Sequence, residues 1–503
     1  MTTASDEDPL PQTVGPWAAQ WHARSTRLRE IEARLVDAPN DVTLLLLRAR
    51  LLEELGLRDD ARNAYLDVLV RDRFHYDAMM RLGTLFATSR QGEFAETVFA
   101  EAALRHPDQA PAHTALGNTL LDKGDKAGAQ RAFEAALQID SLHHEAHRGL
   151  AIMLERSGRP DEAEPHWRKG FPDGSIAVAP YRGATTPVRL LVLCSAIGGN
   201  IPLQHVLDDR IFATATLVAE SYTPTMTFPP HEVAFNAVGD ADRSGRALGI
   251  VEQIVPRLTV PLVNPPDRIA TSGRVAVADR LRELPGVVTP RIVAFPRAQL
   301  TDGDVEATLA AHGFSWPVLL RSPGFHTGEH FTLVEEPATL AETVAELPGE
   351  ELLVLSYLDT RGADGSFRKY RAMFIDGTAY PLHLAISPNW KVHYFSAAMA
   401  DDQAFRDEEQ AYLEDMEGVL GAPGIAALAR IRETLALDYG GIDFALDARG
   451  RLAVFESNAT MVILVPNADT RWDYRRKPIQ RVLEATRAML VGRAQAYRRE
   501  TGA

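Results

Sequence analysis

The sequence predicts a multidomain chain: an all-α repeat solenoid, then a small α/β unit, then a larger α+β region. Three observations carry this. Small and aromatic residues recur every 34 positions from Val42 onward. A Gly- and Pro-rich stretch at residues 171–187 ends that recurrence. Beyond it the apolar residues fall into short strand-like runs. A length of 503 residues suits about three domains, and 46% hydrophobic with 24% charged is ordinary for a globular protein.

Residues 1–16, MTTASDEDPLPQTVGP, are acidic and Pro-containing where a signal peptide is basic and then apolar. They are expected to be a disordered tail. With no apolar run of membrane-spanning length, the expectation is a cytoplasmic protein without a membrane partner. The net charge of -15 argues against a nucleic-acid partner, since phosphate-backbone binders gather positive charge. The single cysteine, Cys194, forbids an intramolecular disulfide; at the end of the run RLLVL it reads as a buried thiol.

Residues 17–170 form the solenoid, with 17–35 as an extra capping helix and Gly170 as its end. Units beginning at Val42, Tyr76, Ala110 and His144 place Ala61, Ala95, Ala129 and Ala163 at one offset, and Tyr65, Phe99, Phe133 and Trp167 four residues later. In the third unit Leu116 and Gly117 mark the close helix contact, and Gly124 and Asp125 the turn. This pattern resembles the tetratricopeptide repeat. One helix pair cannot bury its own face, so neighbours must stack, and the stack presents a groove. The resemblance implies a peptide or protein partner there; an array that only dimerises the chain or braces its neighbour is the alternative.

Residues 171–187 read as a linker and 188–272 as the α/β unit. VRLLVLC (188–194) suits a buried parallel strand and empties into SAIGGNIP, whose glycine pair permits either a plain turn or close approach to a ligand. Residues 213–221 and 231–238 read as further strands, followed by an amphipathic helix and PLVNPP.

Residues 273–495 hold the chemistry. In 316–336 a strand ending at Arg321 leads through a glycine-containing loop, Ser322 to Gly328, into a second strand. Such a loop can lay backbone N–H groups over phosphates with a cation at its root. ELLVLSYLD follows at 351–359, then FRKYRAMFIDGTAYPLHLAIS, a hairpin turning at Asp376 and Gly377 with Lys369 and Arg371 on one face. After a helical span at 411–435 comes a second hairpin, 440–461, with strands at 442–446 and 452–457. If Leu446 faces Arg451 across a four-residue loop, Asp443, Glu456 and Asn458 emerge on one face. A five-residue loop would send Asp443 to the other. Two carboxylates and an amide oxygen suit magnesium, which takes few protein ligands and several from substrate phosphates. A surface hairpin with solvated acids is the alternative.

From residue 188 to about residue 492 this series resembles the ATP-grasp superfamily, of glutathione synthetase and D-alanine-D-alanine ligase type. The resemblance implies a pre-ATP-grasp α/β unit and two α+β lobes with ATP between them. It implies Asp443, Glu456 and Asn458 as Mg2+ ligands. It also implies Arg274, Arg321, Ser322, Gly324, His326, Thr327 and Gly328 around the phosphates. Leu355, Ser356, Tyr357 and Leu358 would meet adenine, and Asp359 the ribose. Arg371, with Arg321, would serve the transferred phosphoryl group. The implied activity is an ATP- and Mg2+-dependent ligase joining a small-molecule or peptide carboxylate to an amine or thiol through an acylphosphate. Members of the family often dimerise, so a homodimer belongs to the same expectation. The chain departs from the family in having arginine for lysine at Arg274 and Arg321, a change of shape at a phosphate. It also has Ser356 where an acid is common, and no Pro and Gly after Asn458. A tetratricopeptide adaptor with a degenerate nucleotide module is the rival, and a kinase without ligation is a third reading. His383, and Lys391 or His393 on an expected strand WKVHYF, are candidates for the acceptor side.

Overall fold

A computed structural model describes residues 16–89, 91–172, 176–325, 328–393 and 397–502. Residues 1–15 of the expected tail, and His326 and Thr327 of the expected phosphate loop, lie outside the described residues. The chain divides into two compact units, residues 1–173 and 174–503.

In the first unit α1 (Pro16–Asp37) precedes four helix pairs: α2 (Val42–Glu54) with α3 (Arg58–Arg71), α4 (Tyr76–Thr88) with α5 (Gly92–Arg105), α6 (Ala110–Asp122) with α7 (Lys126–Ile139), and α8 (His144–Arg156) with α9 (Pro160–Gly170). The recurrent alanines and aromatics are all buried. Glycine is required at the crossings because a Cβ on Gly117 would lie 2.6 Å from the Phe133 ring, and one on Gly83 2.5 Å from that of Phe99. The two aromatics with polar tips find them partners one helix back. Tyr65 donates to Glu53 at 2.6 Å, and Trp167 to Glu155 at 3.2 Å. The equivalent positions facing Phe99 and Phe133 are Ala87 and Leu121. The acid thus stands only where the ring has a proton to donate, as burial of a polar atom demands.

The second unit opens with strand β1 (Ile176–Val178), inside the stretch expected to be linker. It adds antiparallel to the edge of a sheet whose other strands are parallel: β2 (Val188–Cys194), β3 (Phe212–Val218), β4 (Val233–Asn236) and β5 (Leu262–Val263), in the order β1-β3-β2-β4-β5. Helix α10 (Gly245–Ile254) crosses between β4 and β5, and α11 (Pro266–Ala270) and α12 (Arg274–Leu281) follow. Burial of Cys194 against this sheet pushes its thiol pKa up to about 11, which suits an inert thiol.

Strand β6 (Val287–Val288) belongs to a later sheet. Next come β7 (Ile292–Pro296), α13 (Val305–Ala311), β8 (Val318–Arg321), β9 (Phe331–Val334), α14 (Leu340–Glu346) and β10 (Glu351–Ser356). Their antiparallel sheet, ordered β7-β10-β8-β9, has its own core around Phe295, Leu320 and Val354. The third sheet, ordered β12-β11-β13-β14-β6, is built from β11 (Phe367–Ile375), β12 (Thr378–Ser387), β13 (Tyr439–Leu446) and β14 (Leu452–Asn458). Helices α15 (Gln403–Glu414), α16 (Met416–Leu435) and α17 (Asp473–Thr501) complete it, α16 being kinked at Gly421. The expected strand at 390–395 is absent from its described residues 390–393, which follow Pro388 as a loop. The first and third sheets share one apolar core. Among the described residues no helix is long and apolar enough to cross a membrane.

Asn264 joins those two sheets. It is fully buried with φ 53°, and its amide donates to the Tyr439 carbonyl at 2.8 Å while accepting from the N–H groups of Asp438 and Tyr439 at 3.0 and 2.9 Å. Asparagine tolerates this left-handed backbone better than most residues, and its side chain satisfies three groups at the start of β13. We expect Asn264→Ala to lower the stability of the second unit by about 3 kcal/mol, the loss of several buried hydrogen bonds. Urea unfolding followed by circular dichroism measures it, and an unshifted midpoint would contradict the assignment.

Candidate functional site

The hairpin of β13 and β14 does not have the expected register. Leu446 faces Leu452, so the loop holds five residues, 447–451, closed by Asp447 around Arg449 and Arg451. That loop alone would turn Asp443 away from Glu456. A β-bulge at Phe455 inserts one more residue: Phe444 faces Val454, while Asp443 faces Glu456 and Gly441 faces Asn458. The two departures cancel, and Asp443, Glu456 and Asn458 share a face.

Pairing extends the row sideways. Arg371 on β11 faces Asp443 on one side and His383 on β12 on the other. Four titratable side chains, His383, Arg371, Asp443 and Glu456, therefore line up across four strands. Asp443 is 1% exposed and is gripped by the Arg371 fork, Nε to Oδ1 at 2.6 Å and Nη2 to Oδ2 at 2.9 Å, with Lys369 Nζ 3.4 Å from Oδ2. Burial alone would raise the Asp443 carboxyl, but Arg371 and Lys369 outweigh it and hold the group well below the usual carboxylate range. Glu456, paired with Arg274 at 2.8 Å, is likewise held down against burial. His383 is buried, and burial with the adjacent Arg371 pushes its pKa far down, so it is a neutral core histidine.

Arg274 opens α12, and its own N–H donates to Asp242 at 3.2 Å. Arg321, at the end of β8, is 7% exposed; it donates to the Phe325 carbonyl and lies 5.4 Å from the centre of the Phe331 ring. Burial, then repulsion from Arg274, draws its pKa down to about 10, opposed by Glu456 and Asp242. It remains a cation at neutral pH. Arg274, Arg321, Lys369 and Arg371 thus surround two carboxylates, a local surplus of positive charge in a chain of net charge -15 even with the exposed Asp242 added.

The glycine loop is held from outside. The Ser322 hydroxyl donates to the Pro348 carbonyl at 2.7 Å, anchoring the loop's root instead of facing the cations. Gly324 and Gly328 have φ of 80° and 76°, and Lys391 beside Gly328 donates to the Phe331 carbonyl at 3.0 Å. Beyond Phe331 from Arg321, a cluster of buried apolar side chains gathers Ala278, Ile292, Leu319 and Leu355, with Tyr357 and Trp390 partly buried against it. Ser356 exchanges hydrogen bonds with the Arg291 backbone, Leu358 is half-buried, and Asp359 is exposed on the following turn. His393, in the loop after β12, lies near the same cluster: burial, then Lys369 and Arg371, lower its pKa.

Two carboxylates directly opposite and an amide oxygen two residues on are a donor set that a hard divalent cation accepts. The amide oxygen of Asn458 here accepts from the N–H and hydroxyl of Thr460, so all three candidate ligands have protein partners. Among the described residues no group of three or more His, Cys, Asp or Glu side chains could hold a metal. Reading the sequence missed Asp242, for which distance along the chain offers no signal, and treated Lys369 only as a neighbour of Arg371.

Comparison with known proteins bears on the first unit. Residues 46–113 and 114–169 match the tetratricopeptide repeat family. The chain is 28% identical over 114 residues to protein bimA of Emericella nidulans, a stretch covering 22% of this chain and 14% of bimA. A structure of MamA from Desulfovibrio magneticus, residue 41 to the end, is 22% identical and covers 31% of this chain and 95% of that one, with a TM-score of 0.27. YrrB, described as a TPR protein with an unusual peptide-binding site, is 18% identical, covering 28% of this chain and 73% of its own, with a TM-score of 0.26. The N-terminal region is an array of tetratricopeptide repeats.

Proposed function

We propose that the second unit is an ATP- and Mg2+-dependent ligase of ATP-grasp type, which activates a carboxylate as an acylphosphate and passes the acyl group to an amine or thiol. The repeat array docks a peptide or protein, the use that such arrays generally serve. The observation that carries the ligase reading is the largely buried surplus of cations around the register-matched pair Asp443 and Glu456, set beside an apolar cluster. A flat apolar base followed by a chain of phosphates has that same succession of character.

On this reading, the apolar side chains around Leu319, Leu355 and Tyr357 receive the base, and the backbone of residues 355–358 reads its edge. Arg274, Arg321, Lys369 and Arg371 hold the phosphates, their charge strengthened by exclusion of water. Asp443, Glu456 and Asn458 are the residues that would hold Mg2+, which supplies charge neutralisation at phosphate oxygens. Phosphoryl transfer needs positioning more than side-chain chemistry, so His383, neutral and buried, has no step to perform. The glycine loop, with Arg321 at its root, covers the phosphates.

A second reading has one observation in its favour: both carboxylates are paired with arginine. A tetratricopeptide adaptor with a non-catalytic nucleotide module would bind ATP and turn over nothing.

Asp443→Asn and Glu456→Gln are each expected to lower ATP-dependent phosphate release by roughly 100-fold or more, the scale of losing one preorganised electrostatic partner. A coupled ADP assay over amino acids and short peptides measures it. Rates untouched by both substitutions would sink the ligase reading, and ATP binding without turnover under any acceptor would favour the adaptor.

Arg321→Lys loses the planar fork that reaches Phe325 and stacks on Phe331. ATP affinity should fall about tenfold, some 1.4 kcal/mol, by calorimetry. An unchanged affinity would show that Arg321 only braces its own loop.

A further inference from the structure

The geometry points to a latch: Arg371 and Lys369 close Asp443 against a lone divalent cation, and a polyphosphate opens it by drawing those two side chains away. This rests on the nucleotide reading above. Both oxygens of Asp443 are taken, Oδ1 by Arg371 at 2.6 Å and Oδ2 by Arg371 at 2.9 Å and Lys369 at 3.4 Å. The carboxylate is 1% exposed, so no face of it is offered to solvent. A metal ion must come within about 2.1 Å of a carboxylate oxygen, which here would press it against two fixed positive charges in a water-poor site. A cation arriving alone meets repulsion before it meets a ligand.

The latch can move where the strands cannot. The Arg371 carbonyl accepts from the hydroxyl of the buried Tyr412 at 3.0 Å, and β11 is paired with β12 along its whole length and with β13 over residues 370–375. The two cationic side chains, by contrast, are 19% and 17% exposed, and both lie near enough to Glu456 to help hold its carboxyl ionised. A polyphosphate offers them more negative charge than one carboxylate and the same bidentate geometry for the guanidinium. Exchange of partners then frees Asp443 at the moment when phosphate oxygens arrive to complete a metal's coordination. Arg274 on Glu456 is a second catch of the same kind, held by a single contact of 2.8 Å.

The full-length chain tests this with Mn2+ alone, its free concentration read by electron paramagnetic resonance. Wild type should bind Mn2+ weakly, and Lys369→Met and Arg371→Ala should each bind it at least about tenfold more tightly, because the repulsion is removed. Adding Asp443→Asn to Lys369→Met should abolish the gain. Arg371→Ala strands a buried carboxylate and can unfold the lobe, so Lys369→Met, which removes only the longer contact, decides if that occurs. Wild type binding Mn2+ as tightly as Lys369→Met, or a gain that survives Asp443→Asn, overturns the latch. Calorimetry of ATP in excess chelator separates the two readings. Metal-free ATP should bind wild type; no binding there overturns the opening of the latch by a polyphosphate, and no binding of ATP with Mg2+ present either fells the nucleotide reading.

Discussion

Asp443 is a charge buried in a sheet, and the site around it follows from keeping that charge ionised. An isolated carboxylate at 1% exposure would take up a proton. Arg371 and Lys369 prevent it from the neighbouring strand, Glu456 adds a second negative charge directly opposite, and Arg274 answers that one from the start of α12. Each added charge requires the next. The outcome is a cluster drawn from all three sheets of the second unit or their adjoining helices and loops, with more cations than it needs for its own neutrality.

Such a cluster is costly to bury, and hydrogen bonds elsewhere in the unit hold its strands and loop in place. Asn264 fixes the entry of β13 against the first sheet, Tyr412 fixes β11 from α15, and Ser322 ties the root of the glycine loop to the Pro348 carbonyl. These are buried, fully satisfied hydrogen bonds, which specify one arrangement where apolar contact would permit several. The first unit meets the same demand more simply. Its rings sit on glycine or alanine, and only Tyr65 and Trp167, which carry a proton to donate, have a glutamate facing them.

Much of this was legible in the sequence. The repeat was, down to its individual alanines and aromatics, because each unit is local and the pattern recurs with a fixed period. The hairpin turn at Asp376 and Gly377 was also legible, with both residues at positive φ as such a two-residue turn requires. So was the shared face of Lys369 and Arg371, since alternation along a strand needs no tertiary information. The edge strand β1 was not. Ile176 to Val178 is too short and too plain to differ from a linker until Leu217 and its neighbours offer it a partner.

The sequence by itself determined which residues could take part in the site: Asp443, Glu456, Asn458, Arg321 and Arg371 are chemically conspicuous on short polar-ended strands, and Arg274, at the start of a helix, was named only through the family resemblance. It could not determine that Asp443 and Glu456 would meet. The five-residue loop and the bulge at Phe455 each reverse the facing, and only their combination restores it. A loop length and a bulge are settled by how two strands pack against the rest of the sheet. Side-chain alternation has a period of two, so any single-residue uncertainty in pairing leaves the face undecided until the tertiary structure resolves it.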